Sequence, residues 1–343
     1  MKKIFVCFVL IVSFLLPFRA EEAPIRITLT AVGDCTLGGV ANHTASSEAL
    51  FAKTVDKNGY EWFLQNVRYL FEADDFTLIN LEGPLTTAQK YEDQARFYFR
   101  GRPSDVAILT CSSVEVATLA NNHSHNFREE GYEETLRTLE DAGVGACGYD
   151  RVYYAECKGI TVGFCGFDQW RSDKAQITSV VTEARKNCDL LIVSYHGGIE
   201  KSNRMSEQVR EAGRLCIDLG ADLVIGNHSH VYGGIERYKG KYITGSLGNF
   251  LFGGNADPGD LTCTIFRQEF LIYPDGTVAD GGIDILPALV STQRDRNNYQ
   301  PCVQEDLRKA TTFFNSVMRL SNFKVSDTRW LPDSFVIRNN IHD

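Results

Sequence analysis

The sequence predicts an α/β fold built on a buried, largely parallel sheet. Apolar, strand-like runs alternate with helix-period segments for most of the 343 residues, and five of the seven histidines fall in short polar runs directly after such strands. Strands of a parallel sheet end along one edge, so residues distant in sequence converge where open α/β sheets bind their ligands. Imidazoles gathered there point to metal or acid-base chemistry.

The chain opens with Met1-Lys2-Lys3 and an uncharged apolar run from Ile4 to Leu16, the pattern of a secretory leader with cleavage after Ala20. That run is too short to span a bilayer, where about 20 apolar residues are needed. Left uncleaved, the leader would anchor the chain. An exported protein is therefore expected, extracytoplasmic in the periplasm or at the cell surface. Residues 21–290 are read as the main domain and 291–343 as a C-terminal helical or irregular extension.

The first strand runs from Ile25 to Val32 and ends at Gly33-Asp34. Tyr60 to Phe71 carries a helical apolar stripe and leads into a strand from Phe76 to Asn80, stopped by Pro84. Glu129 to Ala142 and Arg204 to Leu219 read as amphipathic helices, each followed by glycine. From Val231 the pattern turns antiparallel: Gly234 to Tyr238, Lys241 to Thr244, Leu261 to Ile272 and Val278 to Leu286, with hairpin signals at Lys239-Gly240 and Asp275-Gly276. A last helix is expected from Gln304 to Leu320.

With 43% hydrophobic and 23% charged residues the composition is that of an ordinary globular protein. The net charge is −9 and becomes −12 once Lys2, Lys3 and Arg19 leave with the leader, which argues against nucleic-acid binding by bulk charge. Nine cysteines follow the leader without a CxxC pair, so no disulfide framework is expected; several, such as Cys165, sit in apolar runs as small core residues.

Three polar runs carry the chemistry: Asn122-His123 after Val116 to Leu119, His196 after Leu190 to Tyr195, and His228 with His230 after Asp222 to Ile225. Asp34 and Glu82 also end strands, where an acid serves either as a turn cap or as a ligand. A His-x-His pair alone is weak, since alternate strand residues face one side in any sheet. Together, Asp34, Glu82, Asn122, His196, His228 and His230 make a carboxylate, amide and imidazole set suited to zinc, manganese or iron, as one or two divalent ions. His125 and Asn126 continue one run but alternate away from it, and His43 and His342 read as surface residues. Arg96, Arg100 and Arg102 are candidates for a local basic patch, or simply solvate a sheet edge. Ser246 lacks the G-x-S-x-G setting of a hydrolase nucleophile.

The order of motifs resembles the CapA family of poly-γ-glutamate capsule biosynthesis proteins, within the calcineurin-like metallophosphoesterase superfamily. The residues that carry the likeness are Gly33-Asp34, Asn80 to Thr86, Ala120 to Ser124, His196 to Glu200, Gly226 to Val231 with Gly234-Ile235-Glu236, and Ser246 to Phe250. The resemblance implies a four-layered α/β sandwich, two packed mixed sheets flanked by helices, with two metal ions at the strand ends. By it, Asp34 and His230 lie at one ion, Glu82 bridges, Asn122, His196 and His228 hold the other, and His123 protonates a leaving group. Asn80, Glu200 and Asn249, within the shared motifs, are candidates for substrate contact. Asp34 is followed by Cys35-Thr36 where a phosphoesterase of this type has Asp-x-His, so one imidazole is missing. Leu81-Glu82 replaces the superfamily's Gly-Asp, as in the CapA family, and the family's arginine near Gly39 and aspartate at Asn126 are absent.

Three functions follow as expectations. The first is an exported protein in the synthesis, export or attachment of an anionic cell-surface polymer, with that polymer or its membrane machinery as partner. The second is a stand-alone metal-dependent hydrolase of phosphoester or amide bonds. The third is a ligand-binding module without chemistry.

Overall fold

The computed structural model describes residues 23–42, 47–91 and 96–323; the expected leader, His43 and His342 lie outside them. In chain order the first half comprises β1 (Ile25–Thr36), β2 (Gly39–Val40), α1 (Ser47–Asn58), α2 (Arg68–Phe71), β3 (Phe76–Leu81), β4 (Phe99–Arg100), α3 (Ala107–Thr110), β5 (Val116–Thr118), α4 (Arg128–Asp141), β6 (Gly145–Cys147), β7 (Tyr153–Cys157) and β8 (Ile160–Asp168). There follow α5 (Lys174–Lys186), β9 (Leu190–His196), α6 (Glu207–Asp218), β10 (Leu223–Asn227), β11 (Ile235–Tyr238), β12 (Lys241–Thr244), β13 (Asn249–Phe252), β14 (Thr262–Ile272), β15 (Val278–Leu289), β16 (Cys302–Val303) and α7 (Leu307–Leu320).

Two mixed sheets pack face to face. The first has the order β16-β15-β14-β1-β3-β5-β6, with β13 also on β1; the second has the order β11-β12-β10-β9-β8-β7. The runs β1-β3-β5-β6 and β12-β10-β9-β8 are parallel, while β14, β15 and β16 and the edges β7 and β11 are antiparallel. Alternation sorts the side chains of β1: Ile27, Leu29 and Ala31 face the inter-sheet core with Phe164, Ile192, Leu223 and Phe266. Val32 and Ile79 join a second core with Phe51, Leu70 and Leu139 from the helices over the first sheet, and Val193 and Val224 pack under α5 and α6. The layers run helix, sheet, sheet, helix, and each buried aliphatic side chain adds roughly 1.5–3 kcal/mol.

Helix ends follow their caps. Ser206 accepts the Val209 N–H and starts α6, and Asp306 accepts from Arg308 and Lys309 and starts α7, a turn later than the apolar period suggests. The stripe from Tyr60 to Phe71 is buried but does not form one helix. A 3-10 turn at Tyr60–Trp62 and the short α2 are separated by Val67, whose φ of −127° is not helical, and neither piece has a side-chain cap. Beyond residue 290, β16 extends the first sheet and α7 places Ala310, Phe313 and Val317 in the inter-sheet core. Among the described residues no disulfide joins any of the nine cysteines. Among the described residues no helix is long and apolar enough to cross a membrane.

Candidate metal site

The pocket lies where the parallel strands of both sheets end. Asp34 sits near the end of β1, Glu82 one residue past β3, Asn121 to His123 after β5, His196 at the end of β9, and His228 and His230 just past β10. Two glycines allow this crowding. A Cβ on Gly33 would sit 1.8 Å from the Gly248 carbonyl oxygen, the approach through which Asp34 N–H bonds that oxygen at 2.9 Å and β13 brings Asn249 into register with Asp34. Gly83, at φ +121°, turns the chain away from Glu82 beneath Phe99.

Asp34 is fully buried. Its Oδ1 accepts from Asn80 Nδ2 at 2.8 Å, and its Oδ2 lies 3.2 Å from His230 Nδ1 and accepts the His228 backbone N–H at 3.3 Å. The same Asn80 amide faces His196 Nδ1 at 3.1 Å, and His196 Nε2 meets Asn122 Oδ1 at 2.8 Å. One tautomer satisfies both contacts: Nε2–H donates to Asn122 while Nδ1 accepts from Asn80. His230 Nδ1 also contacts Asn249 Oδ1 at 2.9 Å.

Glu82 differs from all of these. It is fully buried, and neither carboxylate oxygen has a hydrogen-bond partner. The nearest charged or chargeable nitrogens are those of His196 at 3.7 Å, His230 at 3.9 Å and His123 at 4.0 Å. Burial, then the Asp34 charge, push its pKa up to about 8. For Asp34, burial is outweighed by the His230 hydrogen bond and the imidazoles around it, so its pKa lies below the ordinary value. His230 answers in the other sense: burial would lower it, but Glu82 and Asp34 push it up to about 10. A carboxylate stripped of water and left without donors is costly unless a cation faces it. Asp34, Glu82 and His230 offer ligand atoms that all lie within 4.8 Å of one another, a group able to coordinate a divalent ion. His228 Nδ1, also buried without a partner, adds a third unsatisfied ligand atom to the two of Glu82.

His123 stands at the mouth. Its Nδ1 is held by Asn126 Oδ1 at 2.9 Å, its ring packs on Phe99 at 4.3 Å, and burial pushes its pKa down to about 4. Glu200 is exposed and reaches the pocket only through its charge, which acts on Glu82, His123 and His228. His125 lies outside, stacked on Tyr132 at 4.3 Å and bonded to Ser124. Arg100 and Arg102 are taken up by Glu48 and by Asp56 with Asp105, so they form ion pairs rather than an open basic patch.

Two contributors, Trp170 and Phe252, lie outside every motif, and a third, Asn121, lies within one that gives it no role. Asn121 Nδ2 donates to Asn80 Oδ1 and to the Leu81 carbonyl, while its Oδ1 accepts the His123 N–H, tying two strand ends together. Trp170, half exposed, sets its ring edge-on to His228 at 4.8 Å. Phe252 packs on His230 at 5.4 Å. Trp170 carries a usable signal, since it follows the apolar run Val162 to Phe167 just as the histidines follow theirs.

Two packed mixed sheets with flanking helices and a carboxylate-imidazole cluster at the strand ends define an α/β sandwich of the metallophosphoesterase type. The chain belongs to the bacterial capsule synthesis protein family PGA_cap, which matches residues 28–254. It is similar to the PGA biosynthesis protein CapA of Bacillus subtilis, with 26% identity over 94% of this chain and 88% of that one. It is also similar to the capsule biosynthesis protein CapA of Bacillus anthracis, with 24% identity over 66% of this chain and 60% of the relative. A hypothetical protein from Thermus thermophilus superposes with a TM-score of 0.48 at 13% identity, covering 76% of this chain and 98% of its own, too loosely to argue from.

Proposed function

We propose that this is an exported protein acting in the synthesis, export or attachment of an anionic cell-surface polymer of the poly-γ-glutamate type, through a divalent-metal site at its strand ends. The names of its relatives support the polymer. Glu82 carries the metal reading, because its buried, donorless carboxylate beside Asp34 and His230 needs a cation. In this reading Asp34, Glu82 and His230 hold one ion, and Asn122, His196 and His228 hold a second where one is present. Zinc, manganese or iron suits this mixed oxygen and nitrogen set. Such an ion supplies Lewis-acid polarisation of a phosphoryl or carbonyl oxygen and an acidified water. The chain's own part is to exclude bulk water with Trp170, Phe99 and Phe252 and to present His123 Nε2, its ring fixed by Asn126, to the reacting group. Asn80 and Asn249 brace Asp34 and His230, while Glu200 meets a ligand at the rim.

A stand-alone hydrolase is the second reading, favoured by the oriented His123 at the pocket mouth. Elemental analysis of the full chain, purified from a secreting host, tests the shared premise. One or two transition-metal ions per chain, lost in Glu82→Gln and in His230→Ala with folding retained, are expected. No bound metal after reconstitution with zinc, manganese or iron overturns both readings. Turnover of a model phosphodiester by the loaded protein, abolished in His123→Ala, would decide for the hydrolase.

A further inference from the structure

Away from the strand ends, a cavity of about 520 Å³ opens between α1 and the segment after β15. Lys53 and Lys57 of α1 and Arg296 of that segment line it, and no carboxylate does. The two lysines are one helical turn apart and so share a face, with about 5–6 Å between their Cβ atoms. None of the three cations makes an ion pair among the described residues, and Arg296 Nε donates to the Gln293 amide oxygen at 2.6 Å. Gln293 also lines a neighbouring cavity of about 450 Å³, with Arg294, Lys309 and a single acid, Glu305. Against these five cations stand Glu305 and, paired with Lys309 at 3.7 Å, Asp306, a local excess of positive charge on a chain whose Asp and Glu outnumber Lys and Arg by 44 to 35. Leu50, 44% exposed, and Trp62 add apolar surface to the lining of the first cavity. Much of the wall, from Ala256 to Tyr299, lies beyond residue 254, where the family match ends.

We propose that this cationic track binds a methylene-rich polycarboxylate chain, a docking site separate from the strand-end pocket. The inference rests on the polymer reading above and adds where the polymer is held. Ammonium and guanidinium groups beside the apolar surface of Leu50 and Trp62 suit carboxylates spaced along an aliphatic or polyamide chain, the charged heads pairing with the carboxylates while the methylenes lie on the apolar side chains. The net negative surface repels a polyanion at a distance, so binding falls to this locally positive strip. Added salt weakens it, because charges beyond about 8 Å are screened at physiological ionic strength.

The experiment is fluorescence anisotropy with a labelled short poly-γ-glutamate on the full chain purified from a secreting host. The expected result is binding that weakens with salt. It falls at least tenfold in Lys53→Glu with Lys57→Glu and in Arg294→Glu with Arg296→Glu. The milder Lys53→Gln with Lys57→Gln gives an intermediate loss, and circular dichroism confirms folding of each variant. Undiminished binding in the charge-reversed variants, no binding by the unmodified protein, or tighter binding of an oligonucleotide of equal charge overturns the proposal. Metal content measured on the same samples separates the two readings, because loss of the track leaves the ion in place.

Discussion

Asn126 Oδ1 lies 2.9 Å from His123 Nδ1 and also accepts the Phe99 backbone N–H at 2.8 Å. One amide oxygen therefore fixes the ring and ties it to the β4 strand. An amide oxygen favours the charged imidazole only weakly, against the burial that lowers its pKa, whereas a carboxylate in its place adds a full opposite charge. Asn126→Asp is expected to raise the His123 pKa from about 4 toward its ordinary 6.5, read by proton NMR titration of the ring. A ring that titrates as before would mean that Asn126 does not set its charge.

The pocket also makes stability depend on pH. Glu82 has an ordinary pKa of 4.5 but about 8 in the fold, where burial, then the Asp34 charge, hold the proton on. The folded chain keeps that proton while the unfolded chain gives it up, so this contribution falls as pH rises through the window. His230, raised from 6.5 to about 10 by Glu82 and Asp34 against burial, acts in the same sense. The depressed His123 and His196 act oppositely, but below about their ordinary 6.5. Metal-free protein should lose thermal stability from pH 6.5 to 8, with a shallower loss in Glu82→Gln and a reversal when a divalent ion is added. Calorimetry on chelator-treated samples checks this, and a flat profile would count against a donorless Glu82.

Gly33 admits no side chain, with Gly248 O at 1.8 Å from its notional Cβ. Gly33→Ala should cost about 3 kcal/mol or more, the upper end for overpacking, and should release bound metal by pushing β13 away from Asp34. Denaturant titration with metal analysis reads both effects. A stable variant that keeps its ion would show that β1 and β13 have freedom to part.

Trp170 covers His228 from a half-exposed position. Trp170→Ala should change stability by less than about 1 kcal/mol, as surface positions do, and leave metal in place. It should also speed modification of His228 by diethyl pyrocarbonate, followed by mass spectrometry in the metal-free protein. An unchanged rate would mean that the indole does not screen that imidazole.

The strand-end convergence was legible because each polar run follows an apolar one, and the sheets then bring Asp34, Glu82, Asn122, His196, His228 and His230 together. His125 separates from His123 for a local reason: the turn sends its ring onto Tyr132, which adjacency in sequence does not reveal. The helix expected from Tyr60 to Phe71 breaks because burial of Phe63, Leu64 and Val67 outweighs helical continuity where no residue caps the turn. Asn121 lies within the Ala120 to Ser124 motif without a sign of its bracing role, and Phe252 carries no local mark, since the importance of both comes from partners in other strands.

Asp34 and Asn249 are brought side by side by the pairing of β1 with β13, across most of the main chain's length. The atoms that would grip an ion therefore do not meet until nearly the whole domain has closed, and an extended polypeptide has no preformed site. An ion held beside Glu82 would thus be selected by the surroundings in which the chain completes its folding, and a translocating chain would leave the metal pool of its place of synthesis behind.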